Sequence, residues 1–173
     1  KINDRLRGVS RMDSLEIVLE RAERLYTDEE KVELAERKNN YYKEYIKKLT
    51  KDDILNGVNE NLAELKAKGI KVAIGSSSKN TPDILKYIGL DNYFDAVSDG
   101  NNITKSKPDP EVFLKAADML GVPYEKCLVV EDADSGIEAG KRAGMYTLAV
   151  NNAKGADYSL ADLSAGKITD YIN

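Results

Sequence analysis

The 173-residue chain contains no histidine. That absence excludes histidine-based triads, histidine metal ligands and imidazole acid–base work. Catalysis here must use carboxylates, lysine, hydroxyls, backbone amides or a metal. The single cysteine, Cys127, has no partner for an intramolecular disulfide. No segment resembles a signal peptide, so a reducing, cytoplasmic compartment is expected. No stretch approaches ~20 consecutive apolar residues, so no membrane-spanning helix is expected. Neither sign of charge dominates, with 26 Lys and Arg against 30 Asp and Glu and a net charge of −4. The pI is about 5.1, which leaves no electrostatic footprint for nucleic acid. No Gly-x-Gly-x-x-Gly follows a predicted strand, which argues against a dinucleotide site. The sequence opens on Lys1-Ile2-Asn3 rather than Met, and a fragment or a processed chain is expected.

What is present describes an ordinary globular protein: 42% apolar and 32% charged residues. The length suffices for one domain with a real core, or one domain plus a small appendage. Two regions differ in character. Residues 1–50 read as helices. Thr27-Asp28-Glu29-Glu30 has the form of a capping box. After it Val32, Leu34, Ala35, Tyr41, Tyr42, Tyr45, Ile46 and Leu49 recur at three- and four-residue spacings, which predicts a broad apolar stripe. An earlier helix is predicted over residues 13–25, with Leu15, Val18, Leu19, Ala22 and Leu25 on one face. From about Ile54 helices alternate with short apolar strands. Strands are predicted over 70–74, 94–97, 127–130 and 146–150. Repeated β-α units of this length imply an α/β fold, a parallel sheet with helices on both faces. In such sheets ligands sit at the carboxyl ends of the strands.

Three features lie at those ends. The strand at 70–74 runs into Gly75-Ser76-Ser77-Ser78-Lys79-Asn80 just before a helix. Small hydroxyl residues and free N–H groups there can bind an anion, or they form a polar turn capped by Thr81. The strand Leu128-Val129-Val130 ends in Glu131-Asp132. Adjacent acids after an apolar strand are unfavourable unless neutralised. A Mg²⁺ ion, held by one or two carboxylates with waters and phosphate oxygens, would do this; helix capping is the plainer reading. Between these lies Ser106-Lys107-Pro108-Asp109-Pro110, where the prolines fix how Lys107 leaves the chain. Taken alone, Lys107 reads as a solvated loop lysine. Taken together, a hydroxyl, a lysine and an acid pair on one sheet edge are the partners a phosphoryl group needs.

These residues resemble the haloacid dehalogenase superfamily of phosphotransferases. Val72-Ala73-Ile74-Gly75-Ser76 is similar to its second motif, Lys107-Pro108 to its third and Leu128-Val129-Val130-Glu131-Asp132 to its fourth. Residues 106–113 resemble the branch with a helical cap. Within the superfamily, residues 6–15, Glu36-Arg37-Lys38-Asn39 and Ser76-Ser77-Ser78-Lys79-Asn80 resemble the β-phosphoglucomutase family. The resemblance implies a Rossmann-like core over residues 51–173 and a small helical cap over residues 1–50. It implies that Gly8, Val9, Ser10 and Arg11 form the cap's substrate loop, with Arg11 gripping the non-transferring phosphate. A planar guanidinium suits that task, although a surface salt bridge is the plainer reading of Arg11. Lys38, Ser78, Lys79 and Asn80 would also bind substrate. Ser76 and Lys107 would orient and neutralise the transferring phosphoryl group, and Glu131 and Asp132 would hold Mg²⁺. The implied activity interconverts β-glucose 1-phosphate and glucose 6-phosphate through a phospho-aspartate. The residues 50–53 are expected as a hinge.

One departure matters. The family's first motif is an apolar strand ending in Asp-x-Asp, placed before the cap. Asp132-Ala133-Asp134 follows a suitable strand, but the hydroxyl and lysine motifs precede it, and Glu131 fits the fourth motif. An N-terminal segment carrying the central strand, the nucleophile and the first cap helix is therefore expected in a folded sample, as further residues of the chain or as a second chain. Without it the chain is expected to be inactive, and with it a monomer. The other readings are a phosphatase of small metabolites on the same scaffold and a non-catalytic phosphate-binding fragment. A receiver domain also combines acids, a hydroxyl and a lysine, but there the acids come first and the lysine last.

Overall fold

The computed structural model describes residues 5–172. Helix α1 (Arg11–Leu19) starts at Ser10, whose Oγ accepts from Asp13 N at 3.2 Å. Helix α2 (Asp28–Ile46) starts at the capping box the sequence predicts. Thr27 Oγ1 accepts from Glu30 N at 3.2 Å, and Glu30 Oε2 accepts from Thr27 N at 2.9 Å. Two donors that a helix start leaves free are thereby satisfied.

Two expectations need correction here. The first helix ends at Leu19, not at residue 25, and Leu25 is 96% exposed. Arg21 N and Ala22 N tighten the end with bonds to Val18 O and Leu19 O. Arg24 is drawn to Glu30 at 2.8 Å, so the chain turns early to meet α2. The apolar stripe of α2 is also narrower than expected. Ala35, Asn39 and Ile46 are buried along one line of the helix, whereas Val32, Tyr41 and Tyr45 are exposed. The segment expected as a hinge is a 3-10 turn, Lys51–Asp53, capped by Thr50.

The remainder alternates helix and strand: α3 (Val58–Ala67), β1 (Ala73–Gly75), α4 (Thr81–Tyr87), β2 (Ala96–Ser98), α5 (Glu111–Leu120), β3 (Leu128–Glu131), α6 (Asp134–Arg142), β4 (Tyr146–Ala149) and β5 (Tyr158–Ser159). A 3-10 turn, Ile168–Tyr171, closes it. Every strand pairing is parallel, in keeping with the α/β class. The strands form two sheets rather than the single sheet expected, one of β1 and β2 and one of β3, β4 and β5. So, among the described residues, β1 and β3 each keep an edge without a partner strand. Burial follows pairing. Thr147, Leu148 and Ala149 of the doubly paired β4 are buried, whereas all of β1 and most of β3 is half-buried.

Helical packing joins the two sheets. Val112 and Phe113 of α5 pack with Val129 of β3 and Ala139 of α6. A second cluster gathers Leu65, Leu148 and Ile168 with Val72, Leu128 and Val130. The strand expected over 70–74 is shorter because a carboxylate intrudes. Val72 N donates to Asp95 Oδ2 at 2.8 Å, and Asp95 N donates to Val72 O at 2.9 Å.

The C-terminal segment is held by α3. Buried Asn61 donates through Nδ2 to Leu163 O at 2.9 Å, and its Oδ1 accepts from Ile168 N at 2.7 Å. Glu64 accepts from Thr169 Oγ1 at 2.7 Å and pairs with Lys167 at 3.0 Å and Lys68 at 3.3 Å. Chiefly the Thr169 hydroxyl, then Lys167, pushes the Glu64 carboxyl down from 4.5 to about 2. A depressed carboxyl contributes stability above its unfolded value and loses it as pH falls through the folded value. The Glu64 contribution is therefore expected to fade between pH 4.5 and about 2. Urea midpoints measured across that window should decline less steeply for Glu64→Gln than for the parent; parallel curves would refute the assignment.

Candidate active site

The carboxyl ends of β1 and β3 meet at one side chain. Lys107 is buried, with 5% of its side chain exposed, and its Nζ donates to Gly75 O at 3.0 Å. The same Nζ forms an ion pair with Glu131, whose side chain is 10% exposed. The Lys107 ammonium also lies 4.8 Å from the centre of the Phe113 ring. An amine buried this deeply needs such partners, because desolvating an unpaired charge is costly. The acid at the end of the apolar strand is thus neutralised by the lysine that, taken alone, reads as a solvated one. The Lys107-Pro108 peptide is cis.

Close approach depends on small residues. A Cβ at Gly75 would lie 2.6 Å from the Phe113 ring, and one at Gly136 would lie 2.2 Å from Cδ of Glu131. Gly136 therefore lets the first turn of α6 seat the Glu131 carboxylate. Asp132 is exposed. Among the described residues no group of three or more His, Cys, Asp or Glu is placed to hold a metal. Two strand-end carboxylates, one of them against a helix start, fit Mg²⁺, which keeps waters and takes phosphate oxygens rather than a full protein cage.

The loop after β1 forms the opposite wall. Ser76 Oγ accepts from Ser78 N at 3.2 Å and from Thr81 Oγ1 at 2.8 Å. Ser78 Oγ accepts from Asn80 N at 3.1 Å. A Cβ at Gly100 would lie 2.8 Å from Lys79 N, so this loop rests directly on the turn after β2. Buried Asn80 donates through Nδ2 to Oδ1 of buried Asn39 on α2, at 2.9 Å. Lys79 is exposed.

The loop before α1 lies over these strand ends. Ser77 Oγ donates to Gly8 O at 2.8 Å, and Ser135 Oγ donates to Arg7 O at 2.9 Å. Gly8 has φ +74°, and a Cβ there would stand 2.5 Å from Ser135 Oγ and 3.7 Å from Cδ of Lys107. Val9 is half-buried, Ser10 caps α1 and Arg11 opens it. Asp13 accepts from Ser10 Oγ at 2.6 Å and from Ser106 Oγ, and these bonds hold its carboxyl below the usual range. Lys38 is exposed, its ammonium 5.4 Å from the Tyr42 ring.

The structure thus brings Gly8, Lys107, Glu131 and the Ser76 loop together, with Asn80 joined to α2. Lys38 and Lys79 make no hydrogen bond to that group among the described residues. Sequence reasoning missed Ser77, Ser135, Phe113, Gly136 and Asn39. Asn39 left a signal, as a polar residue on an otherwise apolar line with Ala35 and Ile46.

Replacing glycine by alanine within a helix ordinarily stabilises by about 1 kcal/mol. At Gly136 the opposite sign is expected, because the new methyl displaces the Glu131 carboxylate from Lys107. A loss on the order of 2 kcal/mol, read from the urea midpoint of Gly136→Ala, would match the mechanism. A gain would contradict it.

Comparison with known proteins gives a consistent picture. The family described as haloacid dehalogenase-like hydrolase matches residues 4–144. The β-phosphoglucomutase of Bacillus subtilis (strain 168) is 44% identical over 161 residues, which is 90% of this chain and 71% of that protein. The phosphorylated carbohydrates phosphatase of Thermotoga maritima is 33% identical, over 83% of this chain and 65% of its own length. The crystal structure of β-phosphoglucomutase from Clostridium difficile superposes with a TM-score of 0.92 at 36% identity, over 98% of this chain and 78% of that one. The chain belongs to the haloacid dehalogenase-like hydrolase family.

Proposed function

We propose that this protein interconverts β-glucose 1-phosphate and glucose 6-phosphate by phosphoryl transfer through a phospho-aspartate. The observation that carries the reading is the convergence of Lys107, Glu131, the Ser76 loop and the Gly8 loop on one sheet edge. The likeness to two β-phosphoglucomutases supports the substrate class. In this reading residues 1–50 form the cap and residues 51–173 the core.

Glu131 and Asp132 would hold Mg²⁺. When bound, the cation offsets the charge of the phosphoryl oxygens. The chain's own residues do the rest. Lys107 presents a fixed positive charge to the transferring group, held in place by Gly75 O and Glu131. Ser78 N donates to Ser76 Oγ, and the Ser76 hydroxyl can turn its own proton to a phosphoryl oxygen. The loop of Gly8, Val9, Ser10 and Arg11 covers the site, Arg11 takes the sugar's second phosphate with Lys38 beside it, and Ser78, Lys79 and Asn80 contact the substrate. Covering the site excludes water, so that sugar rather than water accepts the phosphoryl group.

In this reading the nucleophilic aspartate would sit on a further strand between β1 and β3, outside these 173 residues. The unpaired edges of those two strands and their half-buried side chains support that position. The phosphatase relative favours a second reading, in which the same strand ends serve water as the acceptor.

Turnover of β-glucose 1-phosphate by the full-length protein with Mg²⁺ decides between them. Isomerisation with little phosphate release is expected. Steady phosphate release without isomerisation would install the phosphatase reading, and binding without turnover would leave only a phosphate-binding role. Lys107→Met should lower kcat by about 100- to 1000-fold, as for loss of one preorganised donor. Turnover near the parent's would remove Lys107 from the chemistry.

A further inference from the structure

We propose that Ser77, Ser106 and Ser135 act as a three-point clasp, positioning residues that hold the cap's 7–13 loop down over the phosphoryl site. The inference rests on the cap-and-core reading above. Each strand-end loop contributes one hydroxyl. Ser77 follows Ser76 and donates to Gly8 O at 2.8 Å. Ser106 precedes Lys107 and donates to Asp13 Oδ2. Ser135, in the first turn of α6 after Glu131-Asp132, donates to Arg7 O at 2.9 Å.

The acceptors need these donors. The Arg7 and Gly8 carbonyls have no backbone partner among the described residues, and the one on half-buried Gly8 is drawn out of water and requires one. Gly8 makes the approach possible, since a side chain there would collide with Ser135 Oγ at 2.5 Å, and its φ of +74° suits glycine. The third bond acts on a helix start. Asp13 accepts from Ser106 and from Ser10, and Ser10 is the N-cap of α1. Arg11 is the first residue of that helix, so Ser106 fixes the direction in which Arg11 leaves the cap. None of the three serines carries a charge, and Asp13 keeps its Ser10 bond when Ser106 lets go, so the clasp can break and re-form on opening. Their place beside Ser76, Lys107 and the acid pair links cap closure to the three elements that surround the phosphoryl group.

The test uses Ser77→Ala, Ser106→Ala, Ser135→Ala and the triple variant of the full-length protein with Mg²⁺. Each single change is expected to raise KM for the sugar phosphate by roughly threefold to tenfold. Phosphate release should rise relative to isomerisation, because a loosened cap admits water. The thermal midpoint should hold, and Ser106→Thr, which keeps a hydroxyl, should restore the parent's ratio. A role confined to stability would move the midpoint and leave that ratio alone. Hydrogen exchange without substrate gives a readout independent of the reaction. Amides of residues 7–13 should exchange faster in the variants, in the singles should the triple fail to fold. If the parent only hydrolyses, the mutase reading falls and exchange alone decides the clasp. Unchanged exchange at 7–13 overturns the clasp, as does an unchanged KM and release ratio in all three singles of an isomerising parent.

Discussion

The molecule is organised around one buried amine. Lys107 ties the end of β1, through Gly75 O, to the end of β3, through Glu131. These are strands of separate sheets with no backbone bond between them. Replacing either partner by an apolar residue would leave the other buried and unpaired, at a cost of about 3–5 kcal/mol. The pair therefore holds the two sheets in place against each other. It also explains why the surroundings are built from glycine and a flat ring: Gly75 makes room for Phe113, Phe113 lies under the ammonium, and Gly136 makes room for the carboxylate. A larger residue at Gly136 would push the carboxylate from the amine, and one at Gly75 would displace the Phe113 ring.

Much of this was legible in the sequence. The capping box at Thr27 and Glu30, the proline start of α4 and the order of strands after residue 70 follow from local chemistry, and the structure contains each of them. Local chemistry also marks the strand ends, because an acid pair after three apolar residues demands a counter-charge. What it cannot supply is the identity of that counter-charge. Lys107 is 24 residues from Glu131, and its loop looks solvated until the fold brings Phe113 beneath it. The same distance in sequence hides the C-terminal turn. Asn61 binds Leu163 O and Ile168 N across more than 100 residues. Helix ends failed where charge overrode periodicity, as at Leu19, where Arg24 leaves the apolar rhythm to reach Glu30.

The strand lengths carry a similar lesson. Ile70, Val72 and Ile74 alternate as a longer strand should, and Ile70 and Val72 do pack against the core. Yet the ladder begins only at Ala73, because the Asp95 carboxylate takes the Val72 amide. Burial and backbone pairing are separate constraints, and apolar patterning reports the first.

The junction between the helical first part and the α/β part differs in kind from both cores. Neither core cluster draws on a residue of α1 or α2. No ion pair among the described residues crosses the junction; each lies wholly on one side. What crosses it is hydroxyl and amide bonding: Ser77 to Gly8, Ser135 to Arg7, Ser106 to Asp13 and Asn80 to Asn39, beside the packing of α2 on α4. Such bonds exchange for water at a net cost of about 1 kcal/mol each, whereas parting an apolar interface exposes all of its area. An interface of this composition can separate and re-form at little cost. Directional bonds also restore one geometry on each closure, which an apolar contact alone does not dictate. The same polar residues that deny the junction a core therefore give it a defined closed state.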